Sequence, residues 1–106
     1  MRFLVYTIIM NFTWDVKKDE ANAVKHGLSF AAAITAFDDP FQLRAHDAKH
    51  SSPDEKREWL IGAADIGVLV VIFTIRQPGN IFRIISARSA NRRERRQYEQ
   101  NKGIPF

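Results

Sequence analysis

The sequence predicts an α+β fold: a small antiparallel sheet carrying two N-terminal helices and one arginine-rich C-terminal helix. Three observations predict it. Helix start and stop residues frame two segments in the first third of the chain. Between residues 57 and 87, three β-branched and apolar runs are separated only by short turn formers, the pattern of hairpin-linked strands. The last fifth returns to helical spacing and is dominated by arginine. A chain of 106 residues holds one small domain with a single core. That domain is expected to span residues 10–103, with residues 1–9 as an N-terminal extension.

The first ten residues, MRFLVYTIIM, are apolar from Phe3 to Met10 except at Thr7. The run is too short to span a bilayer. A single charge and no small-residue cleavage site speak against a signal peptide. Val5 to Ile9 suit an edge strand; alternatively, Met10 is the true start and the preceding residues lie upstream of the domain.

Residues 12–14 read as a short strand. Asp15 caps a helix from Val16 to about His26, and Gly27 supplies its left-handed stop. Ser29 caps a second helix over residues 30–37, which buries Phe30, Ala33, Ile34 and Phe37 at helical spacing before DDP ends it. A strand follows at 41–45, then the polar loop HDAKHSSPDEK. Residues 57–64 form the next strand, and 65–67 a turn. VLVVIFTIR, 68–76, is apolar on both faces and therefore central. QPGN turns the chain into a last strand at 81–87. Ser89 or a neighbour then caps a helix to about Asn101, with Gly103 as its stop.

Composition excludes several kinds of chemistry. With no cysteine there is no disulfide framework, thiolate zinc site or cysteine nucleophile, and the chain suits a reducing, cytoplasmic setting. His46 and His50, with Asp47 between them, could suggest a metal, but i, i+4 ligands converge only on a helix and this loop is not helical in pattern. No metal and no other cofactor is expected. Phosphate-binding glycine loops, G-x-S-x-G and H-E-x-x-H are all missing from the sequence.

The net charge of +4 is unevenly placed. Residues 83–102 hold seven basic and two acidic residues, whereas the remainder holds nine and ten. The excess points to an anionic partner. Geometry sharpens this. A hairpin closing around Pro78 and Gly79 sets Thr74 opposite Arg83 and Arg76 opposite Ile81, so both arginines share one face. A two-residue turn at Ile66-Gly67 adds Arg57, opposite Arg76. A three-residue turn would present Lys56 and Glu58 instead. Like charges gathered on a sheet cost free energy unless an anion joins them. On a helical wheel, Arg88, Arg92, Arg95, Arg96 and Glu99 fall within an arc of about 100°. Ala90, Glu94 and Tyr98 lie on the other side, with Arg93 at a flank. Five arginines against two glutamates leave charge free for a partner.

Lys25 and His26 end the first helix, where cations are favourable in any case. Histidine also titrates near neutrality, which makes His26 a candidate acid or base. Glu58 and Tyr98 are further candidates for moving protons.

The stretches FTWDVKKDEANAVKHGLSF (12–30), AFDDP (36–40), HSSPDEKREWLIG (50–62) and RIISARSANRRERRQYE (83–99) resemble the BrnT toxins of type II toxin–antitoxin modules. The resemblance covers essentially residues 10–100. It implies a RelE-like fold and a metal-independent endoribonuclease that arrests growth. It further implies neutralisation by a BrnA-like antitoxin with a DNA-binding domain, through which alone the pair would meet operator DNA. By motif, the residues of interest are Lys25, His26, Arg57, Arg76, Arg83, Arg88 and Tyr98. Glu58 stands where such proteins often carry an aromatic, so a proton-transfer role for it gains no support.

The expected function is therefore RNA cleavage by attack of a 2′-hydroxyl on the adjacent phosphate. His26, Arg57, Arg76 and Arg83 would be catalytic. Lys25, Arg88, Arg92, Arg95, Arg96 and Tyr98 would bind RNA. No membrane role is expected. The competing expectation is a non-enzymatic module whose basic helix only binds nucleic acid or an antitoxin.

Overall fold

The computed structural model describes residues 11–76 and 81–103. The edge strand expected at 5–9 and the QPGN turn lie outside the described residues. The element order is β1 (Asn11–Trp14), α1 (Val16–His26), α2 (Phe30–Ala33) continued by a 3₁₀ segment (Ile34–Asp38), and β2 (Leu43–His46). A 3₁₀ turn (Ala48–His50) then leads to β3 (Arg57–Ala64), β4 (Gly67–Arg76), β5 (Ile81–Ser89) and α3 (Arg92–Asn101). The five strands form one sheet in the order β1-β5-β4-β3-β2.

The α+β class is as expected, but the sheet is mixed rather than wholly antiparallel. β1 lies parallel to β5, with Thr13 opposite Arg83. No hairpin constrains β1, because α1 follows it immediately, so it takes the free edge of the last strand. Beyond Trp14 that edge would be bare. Asn22, buried on α1, completes it: its side-chain amide donates to the Ala87 carbonyl at 2.9 Å and its carbonyl accepts the Ala87 N–H at 3.1 Å.

Local capping explains α1. The Asp15 side chain accepts the Lys17 N–H, and Gly27 takes φ 67° at the C-terminus. The second helix is shorter than expected. It tightens to 3₁₀ geometry at Ile34, where two β-branched residues in succession weaken an α-helix. Of the core residues foreseen, Phe30, Ala33 and Phe37 are buried, whereas Ile34 is only partly buried and Ala36 is buried beside Phe37, because the tightening to 3₁₀ geometry shifts the inward positions. β2 starts at Leu43, later than expected, because Asp39 holds the chain in a turn through the Phe41 N–H.

Each sheet face carries its own core. One face packs Leu60, Leu69, Val71, Phe73, Phe82, Ile84 and Ala87 against Leu28 and the α2–3₁₀ layer. Phe37 meets Phe12, Phe73 and Phe82 at ring separations of 5.0, 5.1 and 5.7 Å. The Arg44 guanidinium closes this aromatic group, 5.5 to 5.6 Å from the Phe37, Phe73 and Phe82 rings. The opposite face packs Ile61 and Val70 against Ala90 and Tyr98 of the C-terminal segment.

Two features of register decide what this second face displays. Ala64 pairs with Gly67, so the β3–β4 loop is Asp65-Ile66 and Arg57 stands opposite Thr74, not opposite Arg76 as expected. The correction is two residues, which keeps the face. In β5, the pairing steps from Phe73↔Ile84 to Ile72↔Ser86, leaving Ile85 as a bulge. Arg83 and Arg88 are five positions apart and would otherwise point oppositely; the extra residue puts both on the second face. Arg88 thus belongs to β5, not to the start of the helix, whose N-cap is Asn91.

Candidate functional site

Across the second face, the registers set Thr13, Arg83, Thr74 and Arg57 in one transverse row on four neighbouring strands. Arg76 follows Thr74 by two residues and projects from the same side. The expected Thr74–Arg83 and Arg76–Ile81 pairings are present. α3 covers only the other half of this face, over Ile61 and Val70, and leaves the arginine row open. Thr74 is buried between the two arginines and donates its hydroxyl to the Lys56 carbonyl at 2.8 Å, which fixes the floor.

The three arginines differ in their partners. Arg57 Nε meets Glu55 Oε1 at 3.0 Å, and Arg76 Nη2 meets Glu55 Oε2 at 3.4 Å, so one carboxylate bridges two guanidiniums. The Arg57 hydrogen bond holds the Glu55 carboxyl below its usual range against slight burial, with Arg76 and Lys18 adding positive potential. The side chain of Arg83, a half-buried residue, makes no hydrogen bond or ion pair among the described residues. Glu55 was not foreseen. Its signal was acidic charge two residues before Arg57 in a loop that folds back through Ser52.

Arg88 stands three residues beyond the bulge and is tied down. Its guanidinium donates to both Glu94 carboxylate oxygens, at 2.7 and 2.8 Å. Glu94 also closes a capping box with Asn91 at the start of α3. The Arg88 hydrogen bonds lower the Glu94 pKa against burial, and they raise that of Arg88. Arg88 therefore orients the helix as well as charging the face.

Between α3 and the sheet runs a cleft of about 290 Å³, lined among others by Asp47, His50, Trp59, Ile72, Arg88 and Glu94. His50 Nδ1 lies 2.9 Å from Asp47 Oδ2; the Asp47 side chain is 10% exposed and that of His50 58%. The loop bearing this pair is fastened to the arginine row. The Asp47 N–H donates to the Arg57 carbonyl at 2.8 Å, and the Ser51 hydroxyl accepts the Arg57 N–H at 2.8 Å. The sequence pattern, judged only for metal ligation, did not disclose the pair.

On α3, Arg92, Arg95 and Arg96 are exposed, as the wheel predicts. Tyr98 is not on that display. It is 2% exposed, and its hydroxyl donates to Asp39 Oδ2 at 2.5 Å. Burial, then the hydrogen bond to a charged acceptor, push its pKa well up. This corrects the expectation that it faces RNA or moves protons: it anchors the helix. Lys25 and His26 are exposed at the end of α1, and their side chains make no hydrogen bond or ion pair among the described residues. Glu58 pairs with Phe73 and so belongs to the first face.

No helix among the described residues is long and apolar enough to cross a membrane. A family model described as "Ribonuclease toxin, BrnT, of type II toxin-antitoxin system" matches residues 14–94. No curated protein matches the chain.

Proposed function

Because the chain belongs to the BrnT family of ribonuclease toxins of type II toxin–antitoxin systems, we propose that it cuts RNA on the open half of its second sheet face. Membership implies an RNA substrate and an antitoxin partner. The observation that carries the site is the Arg83–Thr74–Arg57 row, with Arg83 unengaged among the described residues and uncovered by α3. A phosphodiester laid on this row meets Arg83 directly and reaches Arg57 and Arg76 by displacing Glu55. The 2′-hydroxyl attacks the adjacent phosphorus, the guanidiniums stabilise the charge that develops on the phosphoryl oxygens, and the 5′-oxygen leaves. With arginine charge in that role the reaction needs no metal ion. Growth arrest follows from loss of cellular RNA.

Arg92, Arg95 and Arg96 on α3, with Lys25 on α1, guide the flanking backbone as a sequence-independent electrostatic surface. The same basic helix offers docking for a BrnA-like antitoxin, whose DNA-binding domain would bring the pair to operator DNA.

Purified protein incubated with a defined RNA and a chelator tests this reading. The expected result is cleavage leaving 2′,3′-cyclic phosphate ends, reduced about 100-fold or more in Arg83→Ala. Salt-sensitive binding without any cleavage would replace the enzyme with a binding module. Full cleavage by Arg83→Ala and Arg76→Ala at equal abundance would move the site elsewhere.

A further inference from the structure

Resting on that reading of RNA cleavage, we infer that His50, oriented by Asp47, is the base that takes the 2′-hydroxyl proton. The arginines supply charge but no proton acceptor, since guanidinium stays protonated, and the Glu55 carboxylate between Arg57 and Arg76 is held by both and kept below its usual range, which makes it a weak base. A stronger proton acceptor stands on the neighbouring His50 loop, which is hydrogen-bonded to the Arg57 backbone.

The pair has the geometry such work needs. The nearly buried Asp47 carboxylate engages Nδ1 at 2.9 Å and, through Oδ1, the His50 N–H at 3.3 Å. With Nδ1 donating to Asp47, Nε2 is left as the free, accepting nitrogen. The imidazole is 58% exposed along its side chain and lines the cleft with Trp59 and Arg88. A nucleotide whose phosphate rests on Arg57 and Arg83 has this cleft beside it. Trp59 and Ile72 form an apolar floor there for the base or sugar.

The step balances as follows. Nε2 accepts the proton from O2′ as O2′ bonds to phosphorus. The P–O5′ bond breaks, giving a 2′,3′-cyclic phosphate, and the departing 5′-oxygen takes a proton from solvent. Asp47 is a positioning residue: it fixes the tautomer and steadies the imidazolium.

His26, named by the family resemblance, lacks any such orienting partner among the described residues. The test therefore compares the two histidines. Single-turnover cleavage of one defined RNA is measured for the full chain and for His50→Ala, His50→Asn, Asp47→Asn and His26→Ala, with RNA affinity measured in parallel. His50→Asn keeps an amide to meet Asp47, so the loop stays fastened while Nε2 is lost. The expected result is a loss of about 100-fold or more in both His50 variants with RNA affinity within about threefold, and partial recovery of His50→Ala by added imidazole. Asp47→Asn should fall less, by about tenfold or more. Cleavage by His50→Asn within threefold of wild type overturns the assignment and leaves the ribonuclease reading standing, as does loss confined to His26→Ala. Equal loss of RNA affinity and cleavage without imidazole rescue assigns His50 a binding role and also overturns it. Absence of cleavage by the unmodified chain overturns both readings together.

Discussion

Tyr98 and Asp39, 59 residues apart, share a hydrogen bond that joins the last helix to the turn before β2. The same Asp39 oxygen accepts the Ala63 N–H at 2.8 Å, and the other oxygen accepts the Phe41 N–H at 2.9 Å. One carboxylate thus fastens α3 to both the β2 and β3 sides of the sheet. Tyr98→Phe keeps the ring and removes only the donor. The expected cost is about 2 kcal/mol, the range for hydrogen bonds to charged groups. Urea unfolding of the variant measures it, and a change under about 0.5 kcal/mol would show that the ring alone holds the helix.

Acid should loosen the same clasp. Burial raises the Asp39 carboxyl, but the bonds from Tyr98, Ala63 and Phe41 and the nearby Lys102 outweigh it and leave it below 3.8. Glu94 likewise lies below 4.5, chiefly through Arg88. A carboxyl lowered in the folded state gives stability that is complete above its unfolded value and lost as pH falls through its folded one. Unfolding free energy should be level above about pH 5 and decline below about pH 4. Denaturation from pH 3 to 7 checks this, and Asp39→Asn should show a shallower decline. A curve that rises towards pH 3 would contradict both assignments.

Gly62 is needed for closeness, not for turning. A Cβ there would sit 2.8 Å from the Ala36 carbonyl oxygen and 3.0 Å from Leu60 Cδ2. The 3₁₀ segment rests directly on β3 at this point, and backbone cannot yield as a side-chain tip can. Gly62→Ala should destabilise by about 1–3 kcal/mol. A thermal melt unchanged within error would mean that the 3₁₀ segment lifts freely.

On the proposed reading, Glu55 competes with RNA for Arg57 and Arg76. Glu55→Gln removes its charge at similar size. Because the ion pairs are partly exposed, their worth is at most about 1 kcal/mol, and RNA affinity should rise about two- to fivefold. Fluorescence titration at fixed salt reads the change. Weaker binding would show instead that Glu55 mainly orders the arginines for RNA.

The arginine face was legible because alternation in a hairpin is a parity rule. Once Pro78 and Gly79 mark the reversal, Thr74 and Arg83 must meet, and errors of two residues, as at Arg57, leave the face intact. The capping of α1 was equally local. What stayed hidden depends on contacts remote in sequence. Nothing in NFTW says that its partner is β5, parallel. Asn22 looks like any polar helix residue until Ala87 needs it. Tyr98 carries an RNA-binding residue's chemistry and a core residue's position, and only Asp39 decides between them. Asp47 and His50 fall three apart on a 3₁₀ turn that the polar loop composition disguised.

The bulge at Ile85 makes β5 one residue longer than the stretch of β4 it pairs with, and so sets the parity of everything after it. Arg83 and Arg88 share a face across five positions because Ile85 stands outside the pairing. Deleting Ile85 itself would restore plain alternation and keep Ser86, Ala87 and Arg88 opposite Ile72, Val71 and Val70. Inserting one residue between Ser86 and Arg88 with the bulge retained would instead turn Arg88 to the first face and take from the helix the guanidinium that Glu94 grips. A single-residue change of length in β5 is thus tolerable at the bulge and costly beyond it.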